Sequence, residues 1–484
     1  MYFNSYLFVS LFLPAVIAGY YILARVVSRW SAQIFLLGMS MLFYGYAGVK
    51  YLMLLVAGVV VNYIFYLFTQ QEIKKKGTGS LWNKIILVCL IVGNLSVLLL
   101  YKYYDFTVEN INNLLGTDFN FRHLILPLGI SFITFQQIAF AVDSYRGETG
   151  KIGFLEYAIF IFFFPHIASG PIITHNQFIP VLRKSGCRKN DWEKFGQGMY
   201  LFGMGMGKKV LIADMLGVAV NWGYSHISDL NTVSALFVTM FYSMQVYFDF
   251  SGYSDMAIGI SRMMDMDLPI NFDSPYKADS LPEFWKRWHI SLTHFLTKYL
   301  CIPLGGSRKG RLRMWLNTEV VFLCSGFWHG ANWTFAIWGI LHGTFMIFAK
   351  ETKSVFQRIP KVFRQILTLG FVNLAWIFFR SDSLKTAGEM FRVLFCGGSG
   401  GIRTEICEPF QVRFLKQFFP AIPESFYMFM AFGILGIFLL CGRNVQERAA
   451  ILKYRALDGI FLVIIMVLSV LSFSDVATFL YFSF

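Results

Sequence analysis

Mostly apolar runs, each close to the roughly 20 residues needed to cross a bilayer, recur along the whole chain. They fall near 6–24, 31–48, 51–68, 84–101, 124–142, 153–172, 196–220, 232–260, 315–328, 333–349, 363–379, 426–441 and 457–473. Of the 484 residues, 56% are hydrophobic and only 14% are charged. A soluble domain has about 25% charged residues, so this chain lacks the polar side chains to cover a soluble globe. Intrinsic disorder needs the opposite composition. The expected fold class is all-α, a polytopic membrane protein of about eleven to thirteen helices, re-entrant and interfacial ones included.

The net charge of +14 fits membrane topology better than a nucleic-acid surface, because the basic residues sit in short loops between apolar runs. Arg25, Arg29, Lys74, Lys75, Lys76 and Lys84 mark early cytoplasmic loops. Later basic clusters lie at 183–194, 277–313, 350–364 and 443–455. The 102–120 loop is acidic and suits the outside, which places the N-terminus outside as well. The 153–172 run cannot span once and leave both flanking loops inside. Pro165, Gly170 and Pro171 suggest that it is a broken, re-entrant hairpin. Residues 1–21 read as a first membrane helix rather than a cleaved signal peptide, because no basic residue precedes the apolar stretch. There is no internal repeat, and the chain reads as one membrane domain: N-terminal helices 1–150, a core of about 151–350 and C-terminal helices 351–484.

The seven cysteines are odd in number and contain no C-x-x-C pair, so neither a disulfide framework nor a zinc site is expected. No metal site is readable from the histidine spacing.

The 245–345 stretch carries the chemistry. Asp249 and Asp255 sit in an apolar segment, where a carboxylate faces either a partner or a water-filled cavity. An ion pair with Arg262 and a functional role are equally consistent with the sequence. Ser280 and Glu283 have capping-box spacing and Pro282 suits a first turn. One amphipathic helix is therefore predicted from near Leu281 to just before Pro303, with Phe284, Trp288 and Leu292 on one face and Trp285 and His289 on another. From Arg313 to Lys350 there is apolar chain for two short helices, with His329 between them, flanked by Trp328 and by Gly326 and Gly330. An imidazole at that depth is a functional candidate. A core histidine bonded to a carbonyl is the structural alternative.

These motifs resemble a known family. WHG at 328–330, RWHISLT at 287–293, YLCIPLGG at 299–306 and YFDFSGYSDMAIG at 247–259 are similar to membrane-bound O-acyltransferases, the MBOAT superfamily, in its bacterial alginate O-acetyltransferase-like branch. PLGISFITFQQIAFAVDSYRG at 127–147, FFPHIASGPI at 163–172 and FLYFSF at 479–484 resemble that branch too. The branch often has Gln and Leu where this chain has His166 and Ile167, and a basic or aromatic residue near His175. The IPLGGSR stretch at 302–308 sets the chain apart from teichoic-acid D-alanyl transferases.

The resemblance implies the MBOAT fold, with His329 as the essential histidine and His289 as the second polar residue of the site. The candidate substrate-binding residues are Trp285, Trp288, Asp249, Asp255, Trp328 and Asn332. His342 also matches the family pattern and reads as structural. The implied activity is transfer of an acyl group, acetyl by branch, from a cytoplasmic thioester (acetyl-CoA or an acylated carrier) to hydroxyls of an extracytoplasmic polysaccharide, alginate-like exopolysaccharide or cell-wall polymer. No bound cofactor is implied. The implied partners are the lipid bilayer, an extracytoplasmic SGNH-hydrolase-like acetyltransferase and a polysaccharide synthesis complex. The implied location is the bacterial inner membrane. Teichoic-acid D-alanyl or peptidoglycan acyl transfer is the alternative acceptor chemistry, and a transporter or flippase the alternative class. No G-x-S-x-G elbow occurs, which favours direct transfer through a funnel at His329. Cys324, five residues before His329, keeps an acyl-enzyme open.

Overall fold

A computed structural model describes residues 1–186, 191–306, 309–411, 421–452, 456–473 and 479–480. Cys187, Arg188, Lys189, Ser307, Arg308, Lys453, Arg455 and 481–484 of the terminal motif lie outside the described residues. The described elements are all helical, as expected. Among them, five helices are long and apolar enough to cross a membrane: Phe8–Val26, Val49–Lys76, Leu81–Leu115, Lys361–Arg380 and Glu424–Cys441. Of the other apolar runs, 153–172 is broken into short pieces, whereas 232–260 is carried by one continuous helix, Thr232–Met263. The chain forms two compact units.

The first unit is built on α1 (Phe8–Val26), α2 (Arg29–Gly45), α3 (Val49–Lys76), α4 (Leu81–Leu115), α5 (Ile130–Tyr145), α6 (Phe154–Phe162), α7 (His175–Lys184) and most of α8 (Trp192–Gly207). Its core is aromatic. Phe8 packs at a tilt against Phe3 at 4.8 Å and stacks on Phe12 at 5.5 Å, and Phe164 meets Phe12 edge-on at 5.4 Å. Such tilted and edge-on pairs add to the gain from burial alone. α3 and α4 are joined by a reciprocal amide pair, Asn94 Nδ2 to Asn62 Oδ1 at 2.9 Å and Asn62 Nδ2 to Asn94 Oδ1 at 3.3 Å. Polar bonds of this kind hold helices together where hydrocarbon surrounds them.

The expected break in 153–172 is present. α6 has nine residues, a rise of about 13 Å against a hydrocarbon core of about 30 Å. One further turn, Phe164–Ile167, carries Pro165 at its start, and the chain then turns before α7. His166 Nε2 donates to the Phe160 carbonyl at 3.1 Å. His175 Nδ1 lies 3.4 Å from Asp143 Oδ2, both side chains buried.

The second unit holds α9 (Asp214–Ser225), the first two-thirds of α10 (Thr232–Met263), α11 (Leu281–Arg287), α12 (Ile290–Leu296), α13 (Arg311–His329), α14 (Trp333–Glu351), α15 (Lys361–Arg380), α16 (Leu384–Cys396), α17 (Glu424–Cys441) and α18 (Ala456–Leu471). α13 and α14 are the two short helices expected from the sequence, 19 residues each. They run antiparallel at very close range. A Cβ on Gly326 would lie 2.3 Å from the Phe335 carbonyl oxygen, and one on Gly339 would lie 2.5 Å from that of Phe322. Only glycine lets the two backbones approach this far.

The single helix expected from Leu281 to the approach of Pro303 is not formed. It stops at Arg287. Trp288 is extended (φ −100°, ψ 129°), His289 is left-handed (φ 46°, ψ 52°), and α12 starts afresh at Ile290. The reason is a competing loop. Ile290 N–H donates to the Asn271 carbonyl at 3.0 Å, and Asp273 N–H to the Arg287 carbonyl at 3.0 Å. The loop thus supplies bonds that helix continuation would otherwise make. The expected capping box also fails to close. Glu283 Oε1 is engaged by Arg287 Nε at 3.1 Å, and its Oε2 accepts from the Asp279 N–H at 3.0 Å instead of from Ser280.

Candidate active site

His329 is the last residue of α13. Its Nδ1 lies 2.6 Å from the Ser325 carbonyl oxygen, one turn earlier. A carbonyl only accepts, so Nδ1 carries the ring proton, and in the neutral imidazole Nε2 holds the lone pair. The ring packs against Trp328 at 4.9 Å, Trp338 at 5.2 Å and Phe379 at 5.2 Å. Only 4% of His329 is accessible. Aromatic rings close round it.

His289 reaches the same place from the break between α11 and α12. Its Nδ1 faces Asn271 Oδ1 at 3.2 Å. That oxygen also accepts from Ser291 N–H at 3.2 Å and from Ser291 Oγ at 2.9 Å. A backbone N–H can only donate, which fixes the amide orientation and puts the ring proton of His289 on Nδ1. The ring meets Phe250 edge-on at 4.7 Å and lies 6.4 Å from His329, centroid to centroid. Burial, with a smaller push from His329, holds the His289 pKa well below its ordinary value. It is therefore neutral. A non-glycine residue at positive φ is uncommon, and strain of this kind persists only where the surroundings over-determine it.

Trp285 does not share a face with His289, because the break separates them. Its indole N–H donates to His342 Nδ1 at 3.2 Å. His342 lies on α14, not on the helix of His329, and stacks edge-on against Trp338 at 4.8 Å. Trp288 is buried among Phe284 at 5.5 Å, Phe272 at 5.0 Å and Trp376 at 5.2 Å. Trp328 touches both histidines, lying 6.0 Å from His289. Asn332 is the N-cap of α14: its Oδ1 accepts from Thr334 N–H at 3.0 Å and its Nδ2 donates to the Asp382 carbonyl at 2.7 Å. Both ends of that amide are engaged in structure.

Asp249 is buried in an ion pair, but not with Arg262. Lys209 Nζ lies 2.5 Å from Asp249 Oδ1 and 2.8 Å from Asp214 Oδ1, while Arg262 binds Asp267 at 3.1 Å. Lys209 is presented by a wide turn, Lys208–Ala213, between α8 and α9; turns of this kind often mark functional positions. Asp255 is buried in the first unit and is not among the residues gathered at His329. Cys324 is exposed, whereas Ser325, Gly326, Trp328 and His329 of the same helix are buried. Sequence reasoning missed Asn271, Lys209, Trp338 and Phe250. Lys209 carried a faint signal, as a charged group in an apolar tract; Asn271 and the two aromatics carried none.

Residues 36–381 match the model of the membrane-bound O-acyltransferase family. The chain is 38% identical over 420 residues to a peptidoglycan O-acetyltransferase of Helicobacter pylori, covering 81% of this chain and 79% of that one. It is 34% identical over 405 residues to a probable alginate O-acetylase of Pseudomonas aeruginosa, covering 82% and 76%. A teichoic acid D-alanyltransferase of Streptococcus thermophilus is 28% identical over 46% of this chain and 56% of that one. On the family match, and on the extent of the likeness to these acyltransferases, the chain belongs to the membrane-bound O-acyltransferase family and is an O-acyltransferase.

Proposed function

We propose that this protein moves an acetyl group from a cytoplasmic thioester to hydroxyls of an extracytoplasmic polysaccharide, with His329 as the general base. The observation that carries the proposal is the fixed Nδ1–H of His329, which aims a basic Nε2 away from its own helix. Histidine suits the task because its ordinary pKa lies near the working pH. The acceptor hydroxyl gives its proton to Nε2 as its oxygen attacks the thioester carbonyl carbon. The tetrahedral oxyanion then collapses, and the departing thiolate takes the proton from the imidazolium. His289, neutral and held by Asn271, orients the reacting groups beside it, and Trp328 and Trp288 form the wall against which they pack. The aromatic closure of His329 requires those rings to yield when substrates enter, which also excludes water from the thioester.

The acceptor class rests on the relatives. The identity to a peptidoglycan enzyme favours a cell-wall glycan as the first acceptor to examine, ahead of an exopolysaccharide. The proposed location is the bacterial inner membrane, and the proposed partner an extracytoplasmic SGNH-hydrolase-like acetyltransferase that completes delivery to the polymer. The test is mass spectrometry of cell-wall and secreted glycans from cells lacking the gene, complemented with wild type or His329→Ala at equal membrane level. O-acetyl groups restored by wild type alone support the proposal. Equal acetylation in both removes His329 as the base.

A further inference from the structure

Two buried N–H donors, one on a ring packed against His329 and one on the next ring beyond it, have nothing in the described structure to receive them. One is His342 Nε2, in a side chain with no accessible surface. The Trp285 indole donates to His342 Nδ1. An indole nitrogen has no lone pair to offer, so Nδ1 must be the unprotonated atom and the ring proton is forced onto Nε2. His342 is thus held in the opposite tautomer to His329 and His289. The second donor is Trp338 Nε1, also in a fully buried side chain. The Trp338 ring packs 4.8 Å from His342 and 5.2 Å from His329. Buried donors are almost always paired, and each exception calls for an explanation. Neither side chain is placed by accident: Trp338 is wedged between His329, His342 and Trp376, and His342 is locked by Trp285.

We propose that His342 Nε2–H and Trp338 Nε1–H are the hydrogen-bond donors that receive the acyl carbonyl oxygen of the thioester and hold it as the oxyanion. In the transfer step, the acceptor oxygen bonds to the carbonyl carbon as its proton moves to His329 Nε2. The C=O π pair moves onto the carbonyl oxygen, where the two N–H groups hold it, and returns when the C–S bond breaks. The two rings then carry distinct duties: His329 accepts a proton, and His342 donates a hydrogen bond and must not lose its own. Trp285 is a positioning residue that acts through the tautomer of His342. This inference rests on the proposed function, in which His329 is the base.

The test uses the full-length protein in detergent or nanodiscs, with acetyl-coenzyme A as donor and a soluble glycan as acceptor. Trp338→Phe keeps the ring and removes only the donor. It is expected to lower kcat by about 10²- to 10³-fold, the usual effect of deleting one oxyanion donor, with KM for acetyl-coenzyme A changed less than threefold. Its thermal unfolding midpoint is expected to stay level or rise, since an unpaired buried donor has gone. His342→Phe is expected to match it in kcat. Trp285→Phe frees the tautomer and is expected to cost about tenfold. A second readout does not depend on turnover: the infrared carbonyl stretch of acetyl-coenzyme A bound to His329→Ala should lie below its solution value and return toward it in His329→Ala/Trp338→Phe. Wild-type kcat in both Trp338→Phe and His342→Phe, with His329→Ala inactive, overturns the inference and leaves the base assignment standing. Full activity in His329→Ala overturns the base assignment and, with it, this inference. An unshifted carbonyl stretch in His329→Ala also overturns the inference.

Discussion

His329 and His289 arrive 6.4 Å apart by opposite means. His329 ends a regular helix, bonds a carbonyl of its own last turn and lies on a helical hairpin whose spacing is set by Gly326 and Gly339. Its position follows from ordinary helical geometry. His289 has left helical geometry. A left-handed backbone and one loop amide, Asn271, hold it in place. The difference teaches which parts of the site are robust. His329 is tied to the hairpin, whereas His289 leans on a loop residue, Asn271, 18 residues away in sequence.

The largest expected effects fall on the hairpin. His329→Ala should lower kcat by about 10²- to 10⁴-fold, the range for losing a general base, with the folded level in membranes unchanged. Gly339→Leu should abolish accumulation of folded protein, because its side chain meets the Phe322 backbone, which cannot give way. Immunoblots of membranes with a transfer assay separate these outcomes. Accumulation of active Gly339→Leu would break the claim that backbone proximity sets His329.

The next effects fall on the break. Asn271→Leu removes the acceptor of His289 Nδ1–H and of Ser291 N–H. A buried donor left unpaired costs about 1–3 kcal/mol, so kcat should fall about 10- to 100-fold while KM changes little. His289→Asn should be better tolerated in folding than His289→Val, because Asn accepts positive φ and a β-branched residue does not. Equal stability of the two would show that the strain at His289 has no consequence.

Acid stability sharpens the contrast further. The His289 pKa is lowered in the folded state from 6.5, so the unfolded chain takes up a proton before the folded chain does. Stability is therefore complete above about pH 6.5 and falls as the pH drops from there toward the folded-state pKa. Thermal unfolding midpoints across pH 7.5 to 4.5 should show this loss in wild type and a smaller one in His289→Asn. The smallest effect is expected at Cys324. Its exposed side chain faces away from the buried side of α13, and Cys324→Ser should transfer acetyl at the wild-type rate. A dead Cys324→Ser variant would restore the acyl-enzyme route.

Much of the fold was legible because it rests on local signals. Apolar length marked α1, α3, α15 and α17, and Pro165 with Gly170 marked the break after α6. Residues 313–350 had room for only two helices, which placed His329 at their junction. The break at His289 was not legible. Leu281 to Leu296 carries no proline or glycine after Pro282, and its periodicity is helical throughout. The interruption comes from Asn271 and Asp273, distant residues that capture the backbone. The partner of Asp249 was not legible for a related reason: Arg262 is near in sequence, whereas Lys209 is brought over from the turn between α8 and α9.

The central claim is that His329 Nε2 takes the acceptor proton. The most direct test is the pH dependence of single-turnover acetyl transfer in reconstituted protein, wild type against His329→Ala with and without added imidazole. The claim predicts a wild-type rate that rises with pH through one ionisation, a His329→Ala rate slower by at least two orders of magnitude and partial rescue by imidazole in its unprotonated form. A His329→Ala variant with the wild-type rate and pH profile would contradict it.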